Sequence, residues 1–367
     1  MDFDLSDDAK TLREAARKFL DAEAGPAKAR AVMEGDQPHD FMLWNKVVEQ
    51  GWPAARVPEA HGGLGLGTDE ACVLAEEVGR SLAPVPLLAT MDTIEALRVA
   101  GTEAQQATWL PKLASGAAVG VVAWGEGDAK SPAQMPRSRL EGGRLAGVKS
   151  PVQDGLSATV AVVTVASADG PSMAIVDLSA DGVAREPVDA LDLVRKSARI
   201  TFDGAAAEPL GDATHWVLLT ERLAVLRAWE ALGTADAAMR MTLDYAKDRQ
   251  AFGLRIGRYQ AVKHKLADMY IKGELARAHA MHGCWAWGSG APELAQAAAA
   301  ARVASLDALA YTVEESLQLH GGIGFTWEHD CQFFYRRARA VSAALGSRAH
   351  WADRLVRALE QRNRAAA

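Results

Sequence analysis

An arginine followed by a glycine-containing turn could bind a phosphate in the segment AKDRQAFGLRIGRYQAVKHKLADMYI, Ala246 to Ile271. The helical pattern ends near Arg249, Phe252 and Gly253 follow, and a second helical pattern opens at about Gln260. The Arg249 guanidinium can bind a phosphate through two parallel hydrogen bonds, and glycine lets a ligand or another chain approach the backbone closely. Taken alone, the segment is equally compatible with an ordinary helix–loop–helix that carries a surface arginine.

Three glycines end an alanine-rich helical pattern in LQLHGGIGFTWEHD, Leu317 to Asp330. One glycine is sufficient to end a helix, so Gly321, Gly322 and Gly324 together predict exposed backbone amides near an anionic or planar ligand. The flanking side chains are polar or aromatic: Gln318, His320, Phe325 and Trp327. A third glycine-rich segment, GWPAARVPEAHGGLGLG, spans Gly51 to Gly67 and predicts a shaped loop between helices.

The elements that must position these segments fall into three stretches, which predict an α+β protein. Apolar residues at helical spacing, with Ser6 as the first cap, predict helices over much of residues 5–110. Short β-branched runs between residues 119 and 210 predict a meandering β region, either a small barrel or a sandwich. From about residue 214 onwards, long helical patterns predict a four-helix bundle, with helices near 215–247, 258–287, 293–318 and within 336–362. No strand–helix alternation is found, so a Rossmann domain is not expected.

Composition excludes several classes of protein. The chain has 367 residues, of which 49% are hydrophobic and 24% charged, so it can bury a large core. The net charge is −7 and no lysine or arginine run is present, which argues against nucleic-acid binding. The acidic start, MDFDLSDDAK, predicts no signal peptide, and no apolar run predicts a membrane span. Three widely spaced cysteines (Cys72, Cys284 and Cys331) predict reduced thiols in a cytosolic protein, and no His, Asp and Glu grouping predicts a metal site.

The three glycine-containing segments, in this order around an α–β–α plan, closely resemble the acyl-CoA dehydrogenase family. The resemblance implies an N-terminal helical domain (residues 1–118), a central β domain (119–212) and a C-terminal four-helix bundle (213–367). It also implies FAD as cofactor, an acyl-CoA thioester as substrate, an electron-transfer flavoprotein as acceptor, and a dimer or a dimer of dimers. The His61–Gly63 part of the early loop then has two uses, a wall of the acyl channel or, more commonly, a structural turn.

In this family a carboxylate removes the α-proton of the thioester while flavin N5 takes the β-hydride, and two subunits share each FAD. The carboxylate needs a water-excluded pocket, where its pKa rises. The resemblance implies that one set of residues in this chain holds the AMP half of FAD: Arg249, Phe252, Gln260, Gln318, Gly321, Gly322 and Gly324.

The half that seats the flavin ring departs from the family pattern. The first motif of the β domain is shortened to AWGEGDAKS, Ala123 to Ser131, and the second is GVKSPVQ, Gly147 to Gln153. Pro151 stands where a tryptophan normally stacks on the flavin, and Gln153 stands where a threonine normally donates a hydrogen bond. Two interpretations of Trp124 stay open: a substitute flat surface for the flavin, or a core residue.

The positions of the catalytic base also differ from the family pattern. Leu345 occupies the commonest family position of the catalytic glutamate, and Leu223 occupies the second one, early in the long helix. Glu230 lies two helical turns beyond Leu223 among apolar neighbours, so it is the candidate base, while Glu221 lies on a different face of the helix. The competing interpretation of Glu230 is a buried carboxylate paired with an arginine.

These departures resemble a branch of the family that acts on bulky thioesters such as steroid side chains, often as α2β2 heteromers. The leading hypothesis is therefore a flavin-dependent acyl-CoA dehydrogenase, or one subunit of a heteromeric one. A second is a non-catalytic partner that completes the FAD site of a sister subunit. A third is a flavin monooxygenase or oxidase on the same fold, because such relatives also lack the base.

Overall fold

The computed structural model describes residues 4–128 and 131–365, which form eleven α-helices and nine β-strands. Six helices precede the strands: α1 (Asp7–Glu23), α2 (Pro26–Glu34), α3 (Phe41–Glu49), α4 (Thr68–Ser81), α5 (Leu87–Ala100) and α6 (Glu103–Ala114). Five follow them: α7 (Ala213–Asp248), α8 (Gln260–Gly288), α9 (Leu294–His320), α10 (Cys331–Ala343) and α11 (Arg348–Ala365). None of the described helices is long and apolar enough to cross a membrane.

Seven strands form one mixed sheet and two form a small hairpin. The sheet contains β1 (Gly120–Ala123), β2 (Arg139–Glu141), β3 (Arg144–Gln153), β4 (Val160–Ser167), β5 (Gly170–Asp177), β6 (Val183–Val188) and β7 (Ser197–Pro209), in the order β1-β4-β5-β7-β3-β2 with β6 paired to β7. The hairpin consists of β8 (Gln250–Ala251) and β9 (Leu254–Arg255), which follow α7.

The sheet folds around its own apolar core because one long strand belongs to both of its halves. The first part of β7 pairs with β3 and β6, and its last residues, 207–209, pair with β5. The pair of β1 and β4 is parallel, and the other ladders of this sheet are antiparallel. Core side chains come from both halves, including Val163 and Val176 from one and Leu145 and Ile200 from the other. The expected α+β fold with a small central β structure is therefore confirmed, and among the described strands the ladder does not close into a barrel.

The chain divides into two compact units. One contains residues 1–29, 68–83 and 224–367, and the other contains residues 30–67 and 84–223. In the first, helical unit, α9 packs against α8, α10 and α11, and α1 packs against α4. Ser6 caps α1 as expected, since its hydroxyl accepts a hydrogen bond from the Ala9 amide at 3.1 Å.

The sequence prediction of the last helix needs a correction. It expected one helix within residues 336–362, but the structure has α10 and α11 with a break at residues 344–347. Leu345 and Gly346 have φ values of 61° and 93°, and a left-handed backbone cannot continue a right-handed helix. The other three long helices lie within a few residues of their expected bounds.

Two glycines allow α4 and α7 to cross at very short range in the helical unit. A Cβ added at Gly79 would lie 2.2 Å from the Glu230 carbonyl oxygen, and one added at Gly233 would lie 1.9 Å from the Glu76 carbonyl oxygen. The two backbones are therefore in contact, and neither position has space for a side chain.

The substitution Gly233→Ala is expected to lower the free energy of unfolding by at least about 1–3 kcal/mol, because the added methyl group forces the helices apart. Urea denaturation followed by circular dichroism measures this. Gly273→Ala in α8 is the matched control, since a Cβ there meets no atom within 4 Å. The control is expected to stabilise the chain by up to about 1 kcal/mol through helix propensity. Equal effects of the two substitutions would contradict the close crossing.

Candidate functional site

The hairpin after α7 presents Arg249 and Phe252 to the outside. The Arg249 amide donates to the Tyr245 carbonyl oxygen at 2.8 Å, which continues the helix to the start of the hairpin. Phe252 and Gly253 form the two-residue turn, with φ values of 51° and 80°, as a hairpin turn of the mirror-image type requires. The Phe252 side chain is 97% exposed. Tyr259, the residue before Gln260, holds the hairpin by donating its hydroxyl to the Ala251 carbonyl oxygen at 2.8 Å.

The glycine-rich segment forms a short 3₁₀ turn after α9, over Gly321–Phe325. Gly324 is required by packing, because an added Cβ would lie 2.9 Å from the Leu317 carbonyl oxygen. Gly321 is required by its φ of 65°. Gly322 is constrained by neither: its φ is not positive, and an added Cβ would meet no atom of this chain within 4 Å. The surface at Gly322 is therefore open to a ligand or to another chain.

A tyrosine brings these two segments together within the helical unit. The Tyr245 hydroxyl donates to the His320 carbonyl oxygen at 3.3 Å, and the two rings lie 4.3 Å apart between centroids. Because Tyr245 precedes Arg249 by one helical turn and His320 precedes Gly321, the hairpin and the 3₁₀ turn are neighbours. Gln260 and Gln318, which the sequence placed in the same site, are exposed. Sequence reasoning missed Tyr245, whose role is visible only from the contact.

The histidine of this segment also belongs to a grouping that sequence spacing did not reveal. His320, His329 and Cys331 offer ligand atoms within 4.8 Å of one another. The His320 Nδ1 atom is 2.7 Å from the Ser316 carbonyl oxygen. Burial raises the pKa of the Cys331 thiol to about 12. The grouping offers three possible donor atoms, and we assign no metal to it.

A buried ion pair joins the two segments of the sheet that the sequence placed at the flavin ring. Lys149 Nζ lies 2.6 Å from Glu126 Oε1, and neither side chain is more than 8% exposed. Glu126 also accepts hydrogen bonds from the Arg137 and Ser138 amides at 2.6 and 3.0 Å. These bonds, with Lys149, hold the pKa of Glu126 down at about 2 against the effect of burial. Burial lowers the pKa of Lys149 to about 8, although Glu126 acts in the opposite direction.

Trp124, for which the sequence leaves two interpretations open, is half-buried beside this pair. Pro151 is exposed and Gln153 is half-buried. Trp124 lines a cavity of about 170 Å³ together with Glu126 and Thr164, which is below the roughly 300–1,000 Å³ of ligand pockets. We therefore place no part of a cofactor on this face.

The candidate base lies in a fully buried set of charges. Glu230 has no exposed side-chain surface, and its Oε2 atom accepts from Arg227 Nη1 at 3.0 Å. Arg337, which is equally buried, has its Nη1 atom 4.0 Å from Glu230 Oε1. Burial lowers the pKa of nearby Arg302, and Glu230 acts against that change. Of the two interpretations that the sequence left open, these contacts favour the ion pair, and the role of Glu230 as a base stays a prediction. Leu223 and Leu345 are both buried.

Comparison with known proteins shows which family the chain belongs to. Residues 6–117 match the sequence model of the acyl-CoA dehydrogenase N-terminal domain, and residues 212–359 match that of the acyl-CoA dehydrogenase C-terminal domain. The chain belongs to the acyl-CoA dehydrogenase family. It is 32% identical to acyl-CoA dehydrogenase IpdE2 of Mycobacterium tuberculosis over 93% of this chain and 94% of the relative.

Two solved structures superpose over almost the whole chain. A variant of the Tcur3481-Tcur3483 steroid acyl-CoA dehydrogenase has a TM-score of 0.90 at 30% identity, covering 98% of this chain and 99% of that one. The ChsE4-ChsE5 complex from Mycobacterium tuberculosis has a TM-score of 0.89 at 26% identity, with the same coverage.

The reaction of this acyl-CoA dehydrogenase is the flavin-dependent α,β-dehydrogenation of an acyl-CoA thioester, and its cofactor is FAD. The helical unit fits the AMP half of FAD: Arg249 is exposed beside an open glycine turn, and Gly322 needs no glycine for packing within its own chain. On the sheet, the cavity of about 170 Å³ beside Trp124 is too small for the flavin ring system.

Lys149→Met is expected to lower the free energy of unfolding at pH 7 by up to about 3–5 kcal/mol, because it removes the buried partner of Glu126 and leaves that carboxylate only the exposed Arg137, 3.5 Å away, as a counter-charge. In the unchanged chain, the contribution of Glu126 is complete above its ordinary pKa of 4.5 and is lost as the pH falls towards 2. In the variant the pKa of Glu126 rises, so protonation of the carboxylate relieves part of this cost, and the loss of stability relative to the unchanged chain should be smaller at about pH 3.5 than at pH 7. Urea midpoints at pH 7 and about pH 3.5 measure both effects. The exposed Lys112→Met is the control, and matching midpoints for the two variants would contradict the assignment.

Proposed function

We propose that this acyl-CoA dehydrogenase works as one subunit of an α2β2 heteromer that oxidises a bulky acyl-CoA, of the size of a steroid side chain. The observation that carries the proposal is the asymmetry of its two half-sites. The segments to which the family resemblance assigns the AMP half of FAD are exposed, whereas Pro151 and Gln153 stand where that resemblance expects residues that face the flavin. A homo-oligomer needs both halves in every chain, but a heteromer needs only one complete set for each FAD.

The solved relatives support this proposal. One is described as a steroid acyl-CoA dehydrogenase and another as a complex of two differently named chains. Electron-transfer flavoprotein is the proposed acceptor, as the family resemblance implies. We also propose a cytoplasmic location, in which the three buried cysteines stay reduced, and within the described residues they form no disulfide.

In this proposal, the chain contributes binding and orientation rather than the flavin face. Arg249 neutralises the pyrophosphate of FAD across the subunit interface through charge-assisted hydrogen bonds. The open amides at Gly321 and Gly322 lie beside it, Gly324 shapes the turn, and Gln318 and Gln260 supply further polar groups. Phe252 covers the cofactor from the hairpin tip. Bound FAD supplies the acceptor for the hydride that leaves the β-carbon, while the α-proton goes to a carboxylate.

A second candidate function is that of a non-catalytic subunit. This candidate is favoured because none of the three positions considered for the base carries an unpaired carboxylate. Leu223 and Leu345 are apolar, and Glu230 is paired with Arg227. In this case the carboxylate that takes the α-proton comes from the partner subunit.

Co-expression of the chain with its partner is expected to give a complex with one FAD for every two chains, measured from flavin absorbance and protein concentration. In that complex Arg249→Ala should lower the FAD content several-fold, because it removes the charge that holds the pyrophosphate. Arg240→Ala is the control, since Arg240 is an exposed arginine on the same helix and is paired with Asp236. The control should retain the cofactor.

Two results would contradict the proposal. One is a single-chain oligomer that carries one FAD per subunit and dehydrogenates acyl-CoA at an ordinary enzymatic rate. The other is full FAD retention in the Arg249→Ala complex.

Glu230→Gln is expected to lower the melting temperature markedly, because it leaves the buried Arg227 and Arg337 without a full counter-charge, at a cost of about 3–5 kcal/mol. Turnover per folded, FAD-loaded complex should stay unchanged. The exposed Glu360→Gln in α11 is the control for loss of an i,i+4 pair. If Glu230→Gln instead keeps its melting temperature and FAD but loses turnover, Glu230 is the base and its structural role is refuted.

A further inference from the structure

Three guanidinium groups share one buried carboxylate in the unit that contains the sheet. Glu95 of α5 is 1% exposed, and its Oε1 atom accepts from Arg56 Nε at 2.9 Å and from Arg98 Nη1 at 2.7 Å. Its Oε2 atom accepts from Arg222 Nη1 at 3.3 Å. We call these four residues the Glu95 cluster.

The charge of Arg222 is incompletely compensated in this cluster. Its Nε atom is buried, and no described residue accepts a hydrogen bond from it. Burial lowers the pKa of Arg222 from its ordinary value, Glu95 acts against this, and the positive charges of Arg98 and Arg56 add to the lowering. A guanidinium that has lost water without gaining enough acceptors favours binding of an additional anion.

The cluster is also accessible, and Arg222 is next in sequence to a position that the family resemblance links to the base of the reaction. The side chains of Arg98 and Arg222 are 27% and 23% exposed, so a ligand can reach them. Arg222 directly precedes Leu223, the second family position of the base. Arg56 belongs to the Gly51–Gly67 segment, and its Nη1 atom donates to the Leu66 carbonyl oxygen at 3.0 Å.

We propose that Arg222 and Arg98 of the Glu95 cluster bind an anionic oxygen group of the acyl-CoA, an inference that rests on the proposed function. Two parts of such a molecule carry this chemistry: a carboxylate on the acyl group, and the phosphates of CoA. Either one makes a charge-assisted contact with the exposed part of the Arg222 side chain. Arg56, which is almost fully buried, keeps Glu95 in place beneath them.

Four ligands distinguish the two sources: succinyl-CoA, butyryl-CoA and the pantetheine thioesters of the same two acyl groups. Calorimetry gives the dissociation constant of each for the purified FAD-loaded complex and for its Arg222→Met variant. Arg222→Lys, which keeps a positive charge, should restore part of any lost affinity. Arg240→Met is the matched control, because it removes an exposed arginine from the same helix.

Arg222→Met is expected to weaken the binding of an anionic ligand about tenfold. Weakening of both succinyl thioesters with little change for both butyryl thioesters identifies the acyl carboxylate. Weakening of both CoA thioesters but of neither pantetheine thioester identifies the phosphates. Unchanged affinity for all four ligands, or an equal loss for all four with a lowered melting temperature, overturns the inference. Neither overturning result alters the FAD count of the complex, so failure here is separate from failure of the proposed function.

Discussion

The contact between the backbones of α4 and α7 sets the geometry of the helical unit. Gly79 and Gly233 each face a carbonyl oxygen of the other helix, so the two helices can come this close only at this register. Thr234 strengthens the crossing, since its hydroxyl lies 3.2 Å from the Gly79 carbonyl oxygen and 2.9 Å from that of Glu230. The last part of α7 extends from this crossing to Asp248, the residue before Arg249. A small slip at the crossing would therefore displace the hairpin that carries Arg249.

The buried carboxylate of Glu230 lies in the same turn of α7. Glu230 lies beside the crossing, where its backbone is part of the contact, and its side chain faces Arg227 and Arg337. Arg302 contacts the break between α10 and α11, where it donates to the Ala344 carbonyl oxygen at 2.7 Å. The next residue, Leu345, has a left-handed backbone. Three arginines thus occupy the interior of this unit with Glu230 close to them. A complete set of buried, paired charges contributes little net stability. Removing one partner, however, costs several kcal/mol because it leaves a buried charge without its counter-charge.

Local patterns predicted the features that depend on local physics. The long helices have uninterrupted apolar periodicity, and α7 was placed within two residues of its observed ends. The break at Leu345 was not predictable, because leucine rarely adopts a left-handed backbone. The strand β6 was missed because most of its side chains are exposed, so it lacks the apolar run that marked β4 and β5. The two glycine-containing turns at Phe252–Gly253 and Gly321–Phe325 were predictable from sequence, since glycine marks each of them locally.

The environments of the buried charges depend on contacts between residues that are distant in sequence. The sequence does not reveal these contacts. The apolar neighbours Trp229 and Ala231 made Glu230 resemble a base in a dry pocket. Its actual environment depends on Arg337, which is more than a hundred positions further along the chain. Likewise, nothing in the run GVKSPVQ indicates that Lys149 is buried against Glu126. Pairing of this kind can be recognised only when the fold brings the two charges together.

The exposed aromatic side chains at the tip of the hairpin and in the glycine-rich segment affect the solubility of the chain. Phe252 is 97% exposed, and Phe325 and Trp327 of the neighbouring glycine-rich segment are 71% and 47% exposed. Covering a large apolar side chain gains about 1.5–3 kcal/mol, so these three residues together favour contact with almost any apolar surface that they meet. A copy of the chain on which these side chains stay uncovered is therefore prone to aggregation.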